Sequence, residues 1–395
     1  MKRGKLLRRT VSMLFIVLIL SFAAITHAEI YSGEGSYVMS EGENLGVAKE
    51  RAKADAMRNA DEKAGTYVKS YSRAKNFELE EDIIETMTAN ILKLIGNPNF
   101  SPLKEVDNLE GVLIHAIVKV QIDDSDILRW LNKSEQEKST LVSQMEALRN
   151  ANEEQARQIE KLKRQLAKST TEEDKERIKN EFVNEDKIFL SNQKVAEGWK
   201  IYDTGDYSGA VKIFSEAIEF NSDNALAYYG RAYAYDDLQN YLQVIADCTK
   251  AVQFDSPRLV DSYNNRGEAY RKLGNYTKAI LDYNKAIELD QNYARAYNNR
   301  GIAYISLGNY NQAFADYDKA ISINPKYALA YYNRGYAYIK QKNYEQAIKS
   351  FDKYIELAPN DPDGWQNRGF CYNQLGEEAK AQADFAKVKE LGYNG

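Results

Sequence analysis

The chain is poor in the residues that most often carry chemistry, with two histidines, two cysteines and six prolines in 395 residues. His27 lies at the end of an N-terminal apolar stretch, so His115 alone remains in the body of the chain. Neither a histidine-based triad nor a His-rich metal site can be assembled from it within one subunit. No nucleophile–base pair, metal-ligand spacing or glycine-rich phosphate loop is present, so the reading is a non-enzyme with no cofactor. A net charge of −5, well mixed and with no basic stripe beyond residue 9, argues against a nucleic-acid surface. Scarce proline beside 29 tyrosines suits a mainly α chain with many half-buried rings.

Lys2, Arg3, Lys5, Arg8 and Arg9 precede the apolar run Val11 to Ile25, which ends in Thr26-His27-Ala28. Charged, apolar and small residues in that order read as a secretory signal peptide over 1-28, cleaved near Ala28. An uncleaved anchor is the other reading, and only then is membrane contact expected; the run falls short of the ~20 residues a bilayer needs. Either way the bulk of the chain is expected outside the cytoplasm, in the periplasm, cell envelope or medium.

Residues 29-130 mix strand and helix signals, as in a small α+β domain. Ala48, Ala52, Ala56, Ala60 and Ala64 recur every four residues and form a ridge of small side chains that lets a helix approach a sheet closely. Strands are expected over Gly35 to Ser40, Tyr67 to Ser72 and the alternating stretch Val112 to Val120, and a second helix over Leu79 to Leu94. An alanine-rich helix followed by a paired strand resembles small bacterial envelope domains such as the N-terminal part of flagellar assembly protein T. No functional residue transfers from it.

From Leu131 to residue 190 glycine and proline vanish. Leu141, Leu148 and Leu162 take one heptad position and Met145, Ile159 and Leu166 the other, with Asn152 and Gln155 as polar members of the seam. The spacing predicts a coiled-coil stalk over 131-190, and the seam asparagine points to a parallel homodimer through 131-168; a single solvated spacer helix is the alternative. Carboxylates here alternate with lysines, as on a solvated helix face. Thr170 and Glu173 read as a capping box that starts a second helix.

The remainder repeats itself. Gly198, Ala232, Gly267, Gly301, Gly335 and Gly369 are spaced by 34 or 35 residues, and "YNNRG" stands at both 263-267 and 297-301. In the fourth copy the surrounding frame is Tyr297, Gly301, Tyr304, Ala313, Tyr317, Ala320 and Pro325. These residues resemble the tetratricopeptide repeat, in six copies over 191-224, 225-259, 260-293, 294-327, 328-361 and 362-395. Val244 and Cys248 depart from the usual alanine and aromatic in the second copy. One copy cannot bury its own apolar face, so six are expected to stack as a curved α-solenoid lined inside by the first helix of each pair. Gly205, Gly274, Gly308 and Gly376 sit where each first helix must end in a left-handed turn. Cys248 and Cys371, four repeats apart, lie beyond disulfide reach.

Arg231, Arg266, Arg300, Arg334 and Arg368 share the seventh repeat position, and Asp247, Asp282, Asp316 and Asp384 follow sixteen residues later in four of these copies. The first copy, with Glu197 and Ile213, loses both together, which marks an Arg–Asp pair that fixes helix register. By the resemblance, Asn265, Asn299, Asn333 and Asn367 at the sixth position point into the groove and bond a bound peptide's backbone. Helical spacing adds Tyr229, Tyr233, Tyr332, Tyr336 and Phe370 as anchors. The competing reading has the asparagines capping neighbouring carbonyls and the rings packing between repeats. The family's basic clamp for a C-terminal carboxylate is missing, since Asn264, Asn298, Tyr332 and Gln366 hold the fifth positions. The expectation is an exported scaffold or adaptor for a protein or peptide ligand in cell-envelope assembly; a carbohydrate-binding module using the tyrosine-lined groove is the alternative.

Overall fold

A computed structural model describes residues 28-40, 43-74, 79-101, 104-105, 112-133 and 135-392. The expected signal segment 1-27 lies outside the described residues. The chain divides into two compact units, one up to Phe189 and one from Leu190 onward. No described helix is long and apolar enough to cross a membrane.

In the first unit, strand β1 (Ala28–Met39) runs antiparallel to β5 (Val112–Asp123) along its full length. The short strands β2 (Lys93–Leu94), β3 (Asn99–Phe100) and β4 (Lys104–Glu105) pair in turn with the other side of β5. Helix α1 (Leu45–Ala74) lies on the sheet through the alanine ridge, every member of which is fully buried. Close approach depends on β1 as well. A Cβ at Gly33 would stand 1.9 Å from the Ala56 carbonyl oxygen, and one at Gly35 2.2 Å from the Ala56 nitrogen. The stretch Tyr67 to Ser72, expected as a strand, belongs to α1. Val68 and Ser72 continue the ridge at the same four-residue spacing, both buried, so one helical face runs on without a break. Helix α2 (Glu81–Ile91) is shorter than expected because Lys93 and Leu94 leave it to pair with β5.

The outer edge of β1, which pairs with no strand among the described residues, is occupied by side chains. Asp55 accepts the Ser36 N–H, Asn59 donates to the Glu34 carbonyl, Lys63 to that of Ser32 and Lys163 to that of Val38.

Helix α3 (Asp124–Leu131) leads into α4 (Glu135–Lys168), which turns back at once into α5 (Glu172–Asp203). The stretch up to Phe189 is therefore part of the first unit and not a separate stalk. Its heptad seam closes on the chain itself: Ile159, Leu162 and Leu166 pack on Ile178 and Phe182 of α5, and Leu141 and Leu148 are buried. Gln155, the expected polar seam member, donates to the Glu185 carbonyl at 2.6 Å. A parallel two-stranded coil would need these same side chains, so the antiparallel hairpin takes the place of the expected dimer seam. The cap forms one residue later than expected, with Thr171 accepting the Asp174 N–H at 3.2 Å and donating to its carboxylate. Buried charges tie the hairpin to the β1–α1 corner, where Arg51 pairs with Glu43 and Asp186 at 3.0 Å each.

The second unit takes the C-terminal end of α5 and then α6 (Tyr207–Phe220), α7 (Ala225–Asp237), α8 (Tyr241–Gln253), α9 (Leu259–Lys272), α10 (Tyr276–Leu289) and α11 (Ala294–Ser306). It continues with α12 (Tyr310–Ile323), α13 (Ala328–Lys340), α14 (Tyr344–Leu357), α15 (Pro362–Gln374) and α16 (Glu378–Glu390). These helices pair in sequence order, and the first helices α9, α11, α13 and α15 also touch one another in turn. In every copy but the second, the pair crosses where a ring lies on the glycine at the eighth position of the repeat. A Cβ at Gly301 would come 2.7 Å from the Tyr317 ring, and one at Gly335 2.8 Å from that of Phe351. The second copy exchanges both partners, and Ala232 is matched by the small, fully buried Cys248. Val244, in place of the usual alanine, packs in the same cluster and fills part of the space the missing ring leaves. The left-handed turns fall where expected, with φ near 77° at Gly274 and Gly308, while Gln239 and Lys342 adopt the same region without being glycine.

Gly301→Ala alone should cost roughly 1–3 kcal/mol through overpacking. Adding Tyr317→Cys should return part of that loss, so urea unfolding of the two singles and the double should be non-additive; strict additivity would contradict the ring-on-glycine contact.

Candidate functional site

The inner face of the second unit is identified by contacts that skip a repeat. Arg295 on α11 senses Tyr233 and Asp236 on α7, across the intervening α9. Side chains of alternate repeats meet only on the inside of a curved stack, so the first helices form the concave wall.

The seventh-position arginines stand behind that wall. Arg300 donates twice to Asp316, at 2.8 and 2.6 Å, and once to Asn284 of the preceding pair at 2.6 Å, while its plane covers the Tyr297 ring. Arg231, Arg266 and Arg368 repeat the double bond to Asp247, Asp282 and Asp384 and the third donation to Ser215, Thr249 and Asp352. Arg334 meets Ser350 where the carboxylate is missing and pairs with Asp318 instead. The arginines are therefore structural, as the paired loss in the first copy implied. Burial pushes the Asp247 and Asp316 carboxyls up even against their arginines, so the pair is costly to bury and stabilises chiefly by fixing geometry.

The sixth-position asparagines form a ladder. Asn299 donates to Asn264 at 3.1 Å, Asn333 to Asn298 at 2.9 Å and Asn367 to the Tyr332 hydroxyl at 3.3 Å. Each bond reaches the fifth position of the preceding repeat. Asn299, buried, also donates to Glu268 and accepts from Asn298, which fills its amide. Asn265 stands outside the ladder and accepts only the weak 3.3 Å contact from Asn264. The preceding repeat offers Tyr229 and Gly230 there.

The expected aromatic anchors separate into two groups. Tyr229 is fully buried, and with Tyr233 it joins a ring cluster around Trp199, with centroids 5.1 to 6.1 Å apart. Tyr332 is half-buried against Phe351 and Tyr354. Tyr336 and Phe370, by contrast, are 41% and 40% exposed, and sequence spacing did not single out Leu329, one face with Tyr336 on α13 and 49% exposed. Ile302, Ile305 and Ile339 are half-buried at the equivalent ninth and twelfth positions. The inner face thus has an apolar half over the fourth to sixth repeats.

The other half is polar. Tyr202 donates to Asp237, Tyr293 to Asp261 at 2.7 Å, and Asp261 pairs with Arg258 at 2.7 Å. Asp236 is exposed at this surface, yet its carboxyl is raised to about 6 by burial among concave neighbours and by the Glu268 and Asp237 carboxylates. A separate cleft of about 780 Å³ between α4 and α5 is lined by charges such as Arg177 and Glu181 that already pair with each other, and it belongs to the hairpin. Among the described residues no group of side chains could hold a metal ion.

A stack of helix pairs with a side-chain-lined inner wall is a helical repeat scaffold. More particularly, residues 200–239 and 267–383 match tetratricopeptide-repeat models, consistent with a protein carrying C-terminal tetratricopeptide repeats. The TPR repeat profile matches 200–239 and 267–308, and Tetratricopeptide repeat profiles match 294–327, 328–361 and 350–383. This protein-interaction fold is typically a non-enzymatic scaffold. Over 74 residues the chain is 36% identical to Translocon at the outer membrane of chloroplasts 64 of Pisum sativum, covering 18% of this chain and 12% of that protein. Over 69 residues it is 38% identical to Mitochondrial import receptor subunit TOM70 of Rattus norvegicus, covering 16% and 11%. The chain thus spans about an eighth or less of the length of these relatives. A solved structure of PilW, a type IV pilus biogenesis factor, is 20% identical over 51% of this chain and 93% of its own, with a TM-score of 0.47.

Two outcomes test this geometry. Arg300→Met leaves Asp316 buried and unpaired and should cost about 3–5 kcal/mol, whereas Arg300→Met with Asp316→Leu should recover most of it in thermal melts. Asp236 holds its proton more tightly in the folded state than an unfolded carboxyl does, so its charge costs stability above pH 6. Because the group is exposed the effect is small: Asp236→Asn should raise Tm by about 1–2 °C at pH 7.5, with the gain shrinking as pH falls through 6 towards 4.

Proposed function

We propose that the chain is an exported scaffold that binds a polypeptide segment along the inner wall of its tetratricopeptide repeats, in cell-envelope assembly. The observation that carries the binding reading is the row of exposed apolar side chains on that wall, Leu329, Tyr336 and Phe370, whereas Leu226 and Trp199 at the corresponding positions of earlier repeats are buried. Exposed rings and an aliphatic chain clustered on one concave surface lose water favourably only when something covers them. Export is supported by the order of charged, apolar and small residues over Lys2 to Ala28.

The asparagines act in this reading through the wall they stiffen, since their amides already tie successive first helices together. Ligand contact falls to the rings and to Leu329.

Affinity capture from an envelope fraction with the full chain, against Tyr336→Ala/Phe370→Ala, measures the role of the wall. A polypeptide retained by the wild type and lost from an equally stable variant is expected. Retention unchanged by the double substitution would remove the wall as the binding surface, and a glycan array run on the same pair of proteins would expose a sugar ligand instead.

A further inference from the structure

The open half of the inner wall has a spacing of its own. Ile302, Tyr336 and Phe370 hold the ninth position of three successive repeats, on α11, α13 and α15, and these helices touch in turn. Packed helices stand about 8–10 Å apart, so the three side chains form a row with a step of about that length. Two ligand conformations match it: an extended chain at every third residue, and an α-helix at every seventh, where two turns advance about 10.5 Å.

Backbone chemistry separates the two. An extended segment laid on an apolar wall must find partners for its own N–H and C=O groups, whereas a helix carries most of them already satisfied. The side chains that could serve an extended backbone are committed elsewhere. Asn299 donates to Asn264 and Glu268, Asn367 to the Tyr332 hydroxyl and the Asp363 carbonyl, and Asn333 to Asn298. At the fifth and sixth positions of these repeats one N–H of Asn333 and the exposed Gln366 amide remain, too few for a strand that crosses three helices.

Two charges of opposite sign flank the row. Lys340, exposed four residues beyond Tyr336 on α13, holds its ammonium 5.0 Å from the centre of that ring. Asp363, exposed seven residues before Phe370 on α15, stands at the other margin. Neither has an ion-pair partner among the described residues.

We infer that the ligand of this wall is an amphipathic α-helix of a partner protein, laid across α11, α13 and α15. Its apolar side chains at i, i+7 and i+14 cover Ile302, Tyr336 and Phe370, and those between them reach Leu329 on one side of the row and Ile339 on the other. An acidic side chain on one flank pairs with Lys340 and a basic one on the opposite flank with Asp363. Reversing the helix would exchange the two flanks, so the pair of charges sets its direction while the apolar contacts supply most of the affinity. This rests on the groove reading above and adds the form and the chemistry of the ligand.

The test selects two libraries of eighteen-residue peptides, displayed on phage, against the full chain. One library places apolar residues at helical spacing, the first, fourth, eighth, eleventh, fifteenth and eighteenth; the other places them at alternate positions. Enrichment from the helical library alone is expected. In fluorescence anisotropy of the enriched peptides, proline at a central outward-facing position should weaken binding about a hundredfold. Lys340→Glu, an exposed change, should weaken it about threefold to fivefold, and exchanging the peptide's acid for lysine should restore it. Enrichment from the alternating library, tolerance of proline, or indifference to Lys340→Glu, in peptides that still need Tyr336 and Phe370, would overturn the inference and leave the groove reading intact. Failure of both libraries, or binding indifferent to those two rings, would overturn both.

Discussion

The second unit depends on one side chain used five times. In four of the five copies the seventh-position arginine leaves its own first helix and takes both carboxylate oxygens of the second helix of its pair, and in all five it gives a nitrogen to the second helix of the pair before. Three helices are thereby fixed by one planar group, and an aromatic ring three residues earlier supports the plane from below. Lysine could meet the charge but not the three directions. Stacking of successive repeats, and with it the curvature that creates an inner wall, follows from that geometry as much as from apolar burial.

With the register fixed in this way, the inner wall is free to vary. Its first half is filled by groups that satisfy one another: the rings around Trp199 and the Tyr293–Asp261–Arg258 chain. The second half leaves Leu329, Tyr336 and Phe370 open. The contrast between a self-satisfied region and an unsatisfied one on the same surface distinguishes packing from recognition, because residue type alone places tyrosines in both.

The repeat frame was legible in the sequence because six copies average out local noise, and the arginine–aspartate pair because both members vanish together in the first copy. The left-handed turns were equally plain. Harder were the features in which one residue type serves two purposes. Asn299 has the chemistry to hold a peptide backbone, and only the position of Asn264 across the repeat boundary shows where its amide goes. The heptads of 131-168 specify an apolar seam but not its partner, and the turn at Ser169 to Thr171 supplies one from the same chain. Tyr67 to Ser72 looked like a strand by composition, while Val68 and Ser72, as members of the alanine ridge, already carried the helical period.

The occupied edge of β1 has a consequence of its own. A twelve-residue strand with a bare margin would invite another chain to extend the sheet, and a folding chain passes through states in which such pairing starts aggregates. Asp55, Asn59, Lys63 and Lys163 cancel the hydrogen-bonding capacity of that margin with side chains drawn from helices far apart in sequence. The safeguard exists only once α1 and α4 have docked, so the same strand is protected in the finished protein and vulnerable in the nascent one.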